Sequence, residues 1–395
     1  MNIVIATETS FPYGKASTNR IISYSRGFVE LNNKVNVLCL QPTENTEKII
    51  LNKNISGYYR NIHFYYCCKT TLKPDNLLIK VWKYFLGILN GIIYLVKIRK
   101  QIDVIIMYSN SAVYLTTFFL LAKILRIKYI QEKSEYPFVL RKKSFLGKLY
   151  AKIYIKVIYK LFDGIFVMTK PLYEYFFPKV RKKAKVIIIP MTVESDRFIH
   201  HSSESKFDFE YMAYCGDMGG NKDGIDILLN SFKIISEKYD DINLVLIGSS
   251  SDNDYFNKLK EYVKTIQLDK RIIFTGNVVR EEMPNYLCNA KILLLARPSS
   301  LQAQGGFPTK LGEYLSTGKP VVVTSVGEIP DYLTDNKNVF FSEPDSADKF
   351  AERVDFVLSN YELALKVGNA GKQVALNTFD YKVQSKRLLE FIKNI

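Results

Sequence analysis

The sequence is poor in the residue types that build disulfide, metal and histidine-dependent sites. Its five cysteines include no pair with CxxC spacing, and it has only three histidines. An odd cysteine count without such spacing is typical of a reduced, cytosolic protein. Three histidines leave little material for a histidine-based metal site or a Ser-His-Asp triad. The opening residues, MNIVIATETS, carry no basic residue before their short apolar run, so we expect no signal peptide.

Long uncharged runs are also scarce, and residues 104–122 form one of them. Nineteen residues are enough in number to cross a bilayer. However, Ser109, Asn110 and Ser111 divide the run into a β-rich piece and an apolar piece that continues through Lys123. We therefore predict a strand, a turn and a helix here rather than a membrane span.

Positive charge is abundant, and it lies in the first half of the chain. The formal net charge is +16. Residues 1–200 carry 32 Lys and Arg against 12 Asp and Glu, whereas residues 201–395 carry 23 against 27. This asymmetry indicates that one domain meets an anionic surface or a polyanion and that the other does not.

Short β-branched runs alternate with helical patterns along the whole chain. The runs are continuous rather than alternating, which is typical of strands buried on both faces of a parallel sheet. Eleven of them lie at residues 2–7, 34–40, 103–108, 128–132, 164–169, 185–190, 211–216, 243–248, 271–276, 291–296 and 320–325. The predicted fold class is therefore α/β, with two doubly wound, Rossmann-like domains.

The apolar periodicity is lost between Pro190 and Lys206, where the chain turns polar. We predict an N-terminal domain over residues 1–190 and a C-terminal domain over residues 191–375. Two such domains joined by a linker predict a cleft at the carboxyl ends of their strands, which is the default ligand site of this architecture.

The strongest local signal is a glycine turn that leads into a helix. The turn at Gly305–Gly306 follows a predicted strand, a helix begins near Pro308–Thr309, and Gly318 marks its end. Such a helix start presents unpaired backbone N–H groups, which suit a phosphate. Lys310 adds a positive charge, and Glu313 lies one turn further on, where its carboxylate can accept two hydroxyl hydrogen bonds, as from a ribose. An ordinary strand, turn and helix with a solvated lysine and glutamate is the alternative.

This segment resembles the signature of the two-domain GT-B glycosyltransferases, in particular the retaining family four, also called glycosyl transferases group 1. The signature has two glutamates separated by seven residues and a helix that closes with Gly-x-Pro-Val-Val. Glu313 matches the second glutamate, and Gly318 with residues 320–322 matches the close. The resemblance implies that Glu313 holds the nucleotide ribose. It also implies donor contacts from the residues of the turn and the helix start, which are Gly306, Phe307, Pro308, Thr309 and Lys310.

The first glutamate of the signature is missing, because Gly305 stands eight positions before Glu313. In the family this glutamate touches hydroxyls of the transferred sugar, so the resemblance leaves the donor sugar open. Gln302 or Gln304 can replace it, since an amide also bonds a hydroxyl. The sequence FPTKLGEYLSTGKPVVVT resembles a subgroup found among capsule and exopolysaccharide transferases.

Residues 214–232 resemble a second family segment, a strand followed by a glycine turn, a lysine and a helix. Gly216 and Lys222 match it, which implies that Lys222 helps to grip the diphosphate leaving group. Asp217 stands where the family usually has an arginine, and Arg297 is our candidate replacement. A solvated loop lysine and an arginine with no such role are the alternatives.

The N-terminal segment is similar to the acceptor side of the same family. Gly14, Lys15 and Arg20 lie on the loop and early helix after the first strand. Glu132 and Glu135 are placed just past the fourth strand, where many relatives carry a histidine. A carboxylate there can orient the acceptor hydroxyl or take its proton. A surface carboxylate pair is the alternative.

Lysines recur at every fourth position within residues 141–162. Like charges at this spacing destabilise a helix, so an external anion explains the row better than helix stability does. Anionic lipid headgroups supply such an anion, and an apolar stripe runs beside the charges. We predict a membrane-surface helix carrying Lys148, Lys152, Lys156 and Lys160. Residues 77–100 are a second candidate, and ordinary helices with solvated lysines are the alternative.

A nucleic-acid partner is not expected, because the sequence shows no helix-turn-helix, zinc-finger or aromatic-basic pattern. No cofactor and no metal are expected either. The DxD motif at residues 252–254 follows a glycine-serine loop, which favours a polar turn over a metal site.

The resemblance implies a retaining glycosyltransferase with catalytic roles for Lys222, Glu313 and Glu132. Its donor is expected to be a UDP- or GDP-linked sugar and its acceptor a lipid-linked saccharide, in bacterial surface polysaccharide assembly. The protein is expected to lie peripherally on the cytoplasmic face of the membrane, with residues 376–395 forming a helix that returns to the N-terminal domain. A sugar-nucleotide epimerase on the same fold and a degenerate transferase acting as a membrane scaffold are the alternatives.

Overall fold

A computed structural model describes the chain apart from residues 46–49, 142, 200–203, 221, 251, 301, 302, 304 and 305. The chain divides into two compact units. The N-terminal unit contains Met1–Thr192 together with Tyr381–Ile395, and the C-terminal unit contains Val193–Asp380. The predicted boundaries, after residues 190 and 375, lie a few residues before these.

The N-terminal unit is built around an eight-stranded sheet. Its strands are β1 (Asn2–Thr7), β2 (Lys34–Cys39), β3 (Ser56–Tyr59), β4 (Ile62–Tyr66), β5 (Val104–Tyr108), β6 (Lys128–Lys133), β7 (Gly164–Val167) and β8 (Lys185–Ile188). They stand in the order β3-β4-β2-β1-β5-β6-β7-β8. Every neighbouring pair is parallel except β3 with β4.

The C-terminal unit contains a six-stranded, fully parallel sheet. Its strands are β9 (Glu210–Cys215), β10 (Ile242–Ile247), β11 (Ile272–Gly276), β12 (Ile292–Leu295), β13 (Val321–Thr324) and β14 (Phe340–Ser342). They stand in the order β11-β10-β9-β12-β13-β14. From β9 the chain adds β10 and β11 on one side, and it then adds β12, β13 and β14 on the other side. Strands β9 and β12 therefore flank the point where the strand order reverses.

Helices connect the strands. In chain order they are α1 (Ala16–Glu30), α2 (Leu77–Lys97), α3 (Ala112–Leu125), α4 (Phe145–Ile158), α5 (Lys170–Phe176), α6 (Ile225–Ser236), α7 (Asn253–Thr265), α8 (Met283–Cys288), α9 (Thr309–Thr317), α10 (Ile329–Tyr332), α11 (Ala347–Ser359), α12 (Tyr361–Val374) and α13 (Tyr381–Asn394). In the N-terminal unit, α13 packs on α1 while α2, α3 and α4 lie side by side. Right-handed crossovers place these two groups on opposite faces of the sheet.

All eleven predicted strand runs form strands, and the predicted fold class is confirmed. Residues 104–122 form β5, a turn and most of α3, as predicted. The strands β3, β4 and β14 are not among the predicted runs. Strands β3 and β4 form a hairpin through Arg60 and Asn61, both with positive φ. Arg-Asn is not one of the usual two-residue hairpin signals, so the turn lacks a recognisable sequence pattern.

The predicted lysine helix is shorter than expected. Helix α4 ends at Ile158, so Lys148, Lys152 and Lys156 lie on it and Lys160 lies in the turn that follows. All four lysines are exposed. Tyr159, at the C-cap position of the helix, is fully buried against other aromatic rings.

Helix α2 is held flat on the sheet by small residues on its inner side. Its buried positions are Gly87, Gly91 and Leu95, spaced four residues apart. A Cβ at Gly87 would lie 2.0 Å from the carbonyl oxygen of Leu40, and one at Gly91 would lie 2.9 Å from the Phe118 ring. Gly87 therefore allows the helix backbone to approach the end of β2, and Gly91 allows it to approach Phe118 of α3.

Replacing Gly87 with alanine should destabilise the N-terminal unit. The added methyl group meets a backbone oxygen, and we expect a loss of about 1–3 kcal/mol despite the higher helix propensity of alanine. Urea unfolding followed by circular dichroism measures the change. Leu89→Ala, at an exposed position of the same helix, is the matched control. Equal stability of the two variants would contradict the close approach.

Candidate functional site

The carboxyl ends of β9 and β12 bring together two residues singled out in the sequence. Gly216 directly follows β9, and Arg297 follows β12 by two residues. The two strands are hydrogen-bonded neighbours. Helix α9 begins at Thr309, so its second residue, Lys310, reaches the same edge. Three of the predicted donor-binding residues therefore meet at one place.

A buried carboxylate, Asp223, joins these groups into one cluster. Its Oδ2 atom lies 2.5 Å from the Lys310 ammonium, and its Oδ1 atom lies 3.7 Å from Nε of Arg297. The Tyr214 hydroxyl donates to Oδ2 at 2.9 Å and accepts from Lys310 at 2.8 Å. Nη1 of Arg297 reaches the carbonyl oxygen of Gly306 at 3.4 Å. The cluster thus holds two cations and one anion.

The electrostatics of the cluster favour the ionised carboxylate. Burial acts to raise the pKa of Asp223, but the charge and hydrogen bond of Lys310, with a contribution from Arg297, outweigh it and lower that pKa. Burial also lowers the pKa of Arg297, against the opposing effect of Asp223. The Nε atom of Arg297 is buried and makes no hydrogen bond within the described residues. One net positive charge and an unused donor remain, which suits an anion.

Gly216 is required by the space that the cluster occupies. Its φ of +152° is one that side chains other than glycine rarely adopt. A Cβ there would lie 2.0 Å from the Lys310 nitrogen and 2.8 Å from the Tyr214 hydroxyl. The glycine turn therefore makes room for the lysine.

Glu313, the predicted ribose ligand, is held by an arginine that the sequence analysis did not identify. Its Oε1 atom accepts from Nη1 of Arg197 at 2.8 Å. The Arg197 guanidinium also donates to the carbonyl oxygen of Arg280, whose own side chain pairs with the buried Glu194 at 2.5 Å. The Glu313 side chain is 20% exposed, so the carboxylate is fixed in position yet reachable from solvent.

The remaining residues of the predicted turn have different surroundings. Phe307 is buried against Tyr332 and Phe379, so its side chain belongs to the core. Pro308 is also buried, while Gly306 and Thr309 are half-buried. The helix ends at Gly318 with φ of +78°, as the sequence predicts. Gln302, Gln304 and Gly305 lie outside the described residues.

Lys222 does not join the cluster. It is exposed on the loop before α6, and no contact of its side chain is found in the described part of the chain. Its neighbour Asp223 turns inward instead, and Lys310 occupies the space beside Gly216. Asp217 binds within its own loop, accepting the Gly219 N–H at 2.8 Å. Lys310 is thus the lysine that the cluster contains, and the catalytic role expected of Lys222 stays a prediction.

Two of the predicted acceptor-side residues bind each other. Arg20 donates to Glu132 at 2.9 Å, and both side chains are almost fully buried. Arg20 also donates to the carbonyl oxygens of Ile189 and Pro190 at 2.9 and 3.1 Å. The expectation of an available carboxylate at position 132 is thus wrong. Glu132 lies inside β6, not past its end, and its side chain faces α1, where the pair ties helix to sheet.

The other acceptor-side candidates lie at the surface of the N-terminal unit. Gly14, Lys15 and Glu135 are all exposed. Lys15 directly precedes α1 at the position of its N-cap. In the C-terminal unit, Asp252 of the DxD motif caps α7, because its Oδ1 atom accepts the Tyr255 N–H at 3.0 Å.

A second polar cluster, missed in the sequence, stands at the carboxyl ends of β1, β5 and β6. Glu8 accepts hydrogen bonds from the Ser109 hydroxyl and from the N–H of Ser111, at the start of α3. Lys133 is buried and donates to the Asn110 side chain at 2.5 Å. Burial lowers the pKa of Lys133 to about 8, against the opposing charge of Glu132. This edge therefore holds a carboxylate and an amine whose pKa lies near neutral pH.

The two-domain α/β architecture and its strand-end cluster define a class of protein, the GT-B fold. A glycosyltransferase from Rickettsia africae is 16% identical, with a TM-score of 0.73 over 100% of this chain and 98% of that one. Anabaena Alr3699/HepE in complex with UDP is 13% identical, with a TM-score of 0.73 over 100% of both chains. At these identities the likeness shows the fold.

Sequence comparison points to one family within that fold. Residues 196–374 match the model of the glycosyl transferases group 1 family. Mannosylfructose-phosphate synthase from Agrobacterium fabrum is 22% identical over 60% of this chain and 54% of its own length. A GDP-mannose-dependent phosphatidylinositol monomannoside mannosyltransferase from Mycobacterium tuberculosis is 24% identical over 43% of this chain and 44% of its own length. The chain thus spans about half the length of these curated relatives.

Asp223→Asn should destabilise the C-terminal unit by about 3 kcal/mol at pH 7, because the buried Arg297 and the half-buried Lys310 lose their counter-charge. The pKa of Asp223 is lowered by folding, so its stabilising effect is present above the unfolded value near 3.8. It is lost as the pH falls through the lower, folded value. The stability gap between wild type and variant should therefore narrow from pH 7 to pH 3, as measured by urea unfolding. Asp254→Asn, at an exposed position, is the control. A stability difference between wild type and Asp223→Asn that does not change with pH would contradict an ionised Asp223.

Lys133→Met should change how stability depends on alkaline pH. Between the folded pKa of about 8 and the ordinary value of 10.5, the unfolded chain binds a proton that the folded chain lacks. The wild type should therefore gain roughly 2–3 kcal/mol relative to the methionine variant as the pH rises through this window. Urea unfolding at about pH 7.5 and about pH 10.5 measures the change in the free energy of unfolding of each protein. Parallel pH profiles would show that Lys133 is not held in a desolvated environment.

Proposed function

We propose that the protein is a retaining glycosyltransferase that moves a sugar from a nucleoside diphosphate donor to a lipid-linked saccharide acceptor. The observation that carries the proposal is the cluster of Asp223, Lys310 and Arg297 at the strand ends of the C-terminal unit, with Glu313 one turn further along α9. The family match to residues 196–374 and the UDP complex of a structural neighbour support a nucleotide sugar as partner.

The cluster suits the diphosphate of such a donor. An ammonium group has three N–H donors, and Lys310 uses two of them on Asp223 and Tyr214. The third can bind a phosphate oxygen, together with Arg297 and the backbone N–H groups at the start of α9. These positive groups stabilise the charge that the diphosphate gains when its bond to the sugar breaks.

Glu313 suits the ribose. Arg197 binds one of its carboxylate oxygens, and a carboxylate offers two oxygens to neighbouring hydroxyls. Because the arginine fixes the carboxylate before the nucleotide arrives, less side-chain entropy is lost on binding.

The transfer itself exchanges one bond for another at the anomeric carbon. The bond to the diphosphate oxygen breaks and the bond to the acceptor oxygen forms, with the acceptor proton passing to the departing diphosphate. Retention of configuration, UDP or GDP as the nucleotide, and a place in bacterial surface polysaccharide assembly come from the family resemblance. A peripheral position on the cytoplasmic face of the membrane would bring the enzyme to a lipid-linked acceptor.

Glu313→Gln should weaken binding of the preferred nucleotide by roughly ten- to a hundredfold, since a hydrogen bond to a charged group contributes about 1.5–3 kcal/mol. The measurement is a thermal-shift panel of UDP, GDP, ADP and CMP with their sugar conjugates. A ligand at a hundred times its Kd stabilises by about 2.7 kcal/mol, which is readily detected. Glu282→Gln, a half-exposed glutamate of the same unit, should leave the shift unchanged.

The same compounds separate the alternatives when they are incubated with the protein and the products are analysed. Binding of one nucleotide sugar followed by its slow hydrolysis without acceptor agrees with a transferase. Interconversion of the sugar without any acceptor would point to an epimerase. If no compound shifts the melting temperature, the donor site is absent and the scaffold hypothesis takes its place.

A further inference from the structure

The outer surface of α2, α3 and α4 is apolar, although this surface should face water in a soluble α/β domain. More than half of the exposed large apolar side chains in the described part of the chain lie on these three helices. In the C-terminal unit, which has the same architecture, the helices expose only Ile234, Phe356 and Leu363 among the described residues. Because an α/β fold needs apolar residues only on the inner side of its helices, folding does not explain this surface.

The same three helices carry positive charge and no negative charge. They contain seven lysines and not one aspartate or glutamate. The lysines of α4 form a row beside the exposed Leu149 and Ile153, which lie on the neighbouring stripe of the helix. Lysine side chains bury their apolar stems beside such residues while the ammonium reaches a charged layer. This arrangement matches the boundary between lipid headgroups and acyl chains in an anionic membrane.

A protein partner fits the surface less well. Lysine is depleted in the buried core of protein interfaces, where each ammonium would lose its hydration. A second copy of this chain would bring lysines close to lysines, and these helices carry no acidic residue to pair with them. A bilayer avoids this cost because anionic headgroups neutralise the lysines at its surface.

Helix α2 lies along the surface and does not cross the membrane. It has the length and composition of a membrane span, and 17% of its most apolar stretch is buried. However, Gly87 and Gly91 hold it against Leu40 and Phe118 of the unit's own core. Standing upright in a bilayer would break these contacts, and Lys80 and Lys83 would enter the hydrocarbon.

The most exposed apolar side chains lie at the N-terminal ends of α2 and α4. Leu78 is 79% exposed and Phe145 is 82% exposed. Both helices follow parallel strands, so their N-termini stand at the carboxyl edge of the sheet, the edge that also carries Glu8 and Asn110. The part of the surface best suited to insertion therefore adjoins the edge expected to bind the acceptor.

We propose that α2, α3 and α4 form a docking surface that lies in the headgroup layer of an anionic bilayer. Their N-terminal ends insert, which places the carboxyl edge of the N-terminal sheet at the membrane. If the proposed transferase function holds, the acceptor is an amphiphile whose lipid part stays in the bilayer while its saccharide reaches that edge.

The single tryptophan of the chain, Trp82, reports on the surface directly. It lies on α2 and is 62% exposed. When the full-length protein meets vesicles of equimolar phosphatidylcholine and phosphatidylglycerol, its emission should shift to the blue and be quenched by brominated lipid. The protein should float with these vesicles and much less with pure phosphatidylcholine. Absence of binding, or equal binding to both, would overturn the proposal.

Two sets of variants separate insertion from charge. Leu78→Gln with Phe145→Gln should reduce flotation about tenfold or more, because both side chains lose their apolar contact with lipid. Lys148→Gln, Lys152→Gln and Lys156→Gln together should reduce it roughly a hundredfold at low salt, with a smaller effect at high salt. Phe356→Gln with Leu363→Gln, at exposed positions of the C-terminal unit, is the matched control and should float like the wild type.

The remaining outcomes are also decisive. Sedimentation showing a dimer that Leu78→Gln with Phe145→Gln abolishes, without vesicle binding, would assign the surface to a second copy. Retention in vesicles after an alkaline carbonate wash would show that α2 spans the bilayer. Nucleotide thermal shifts without lipid test the donor site separately. Loss of flotation with intact nucleotide binding overturns only the docking surface, and the reverse overturns only the transferase function.

Discussion

The carboxylate of Asp223 is the contact on which the candidate donor site depends. It binds Lys310 from α9 and faces Arg297 from the end of β12, so two segments distant in sequence meet at one point. Without this counter-charge, the buried Arg297 and the half-buried Lys310 would repel each other, and the desolvation of Arg297 would not be offset. The candidate site for the diphosphate therefore contains a carboxylate of the protein itself. The net positive charge is small, but it is fixed in place and largely shielded from water, which strengthens its attraction for an anion.

The positions of the glycines follow from this cluster. Lys310 and Tyr214 fill the space where a side chain at position 216 would stand, so that position admits only glycine. Gly224 has φ of +67°, and a Cβ there would lie 1.9 Å from the carbonyl oxygen of Ala296. This close approach brings the start of α6, and the loop that carries Asp223, against the end of β12. The glycines at positions 216 and 224 are thus explained by close packing around this ion pair.

The sequence predicted what depends on local pattern and strand order. Continuous apolar runs mark strands buried on both faces, and residues just past such strands, Gly216 and Arg297, meet because neighbouring parallel strands end at the same edge. Helix periodicity and the glycine at position 318 located α9 and, with it, Lys310 and Glu313.

The rest depended on side-chain direction, which the sequence does not supply. Lys222 and Asp223 are adjacent on one loop, and only the path of that loop decides which of them turns inward. Glu132 precedes the end of β6 by one residue, and in a strand a one-residue shift moves a side chain to the opposite face. Arg197 meets Glu313 from a segment without periodicity, where no spacing rule applies. These three cases share one cause, since each concerns orientation rather than position along the chain.

The charge distribution of the chain separates two kinds of anion recognition. The half with the large positive charge is not the half that holds the candidate diphosphate site, because Asp223, Lys310 and Arg297 all lie where acidic residues outnumber basic ones. A diphosphate is small, so two cations placed within contact distance suffice, and the bulk charge of the unit matters little. An extended anionic surface presents no single contact, so many exposed lysines spread over several helices are needed instead. The membrane surface that we propose, rather than a bound nucleotide, would account for the excess charge of the N-terminal unit.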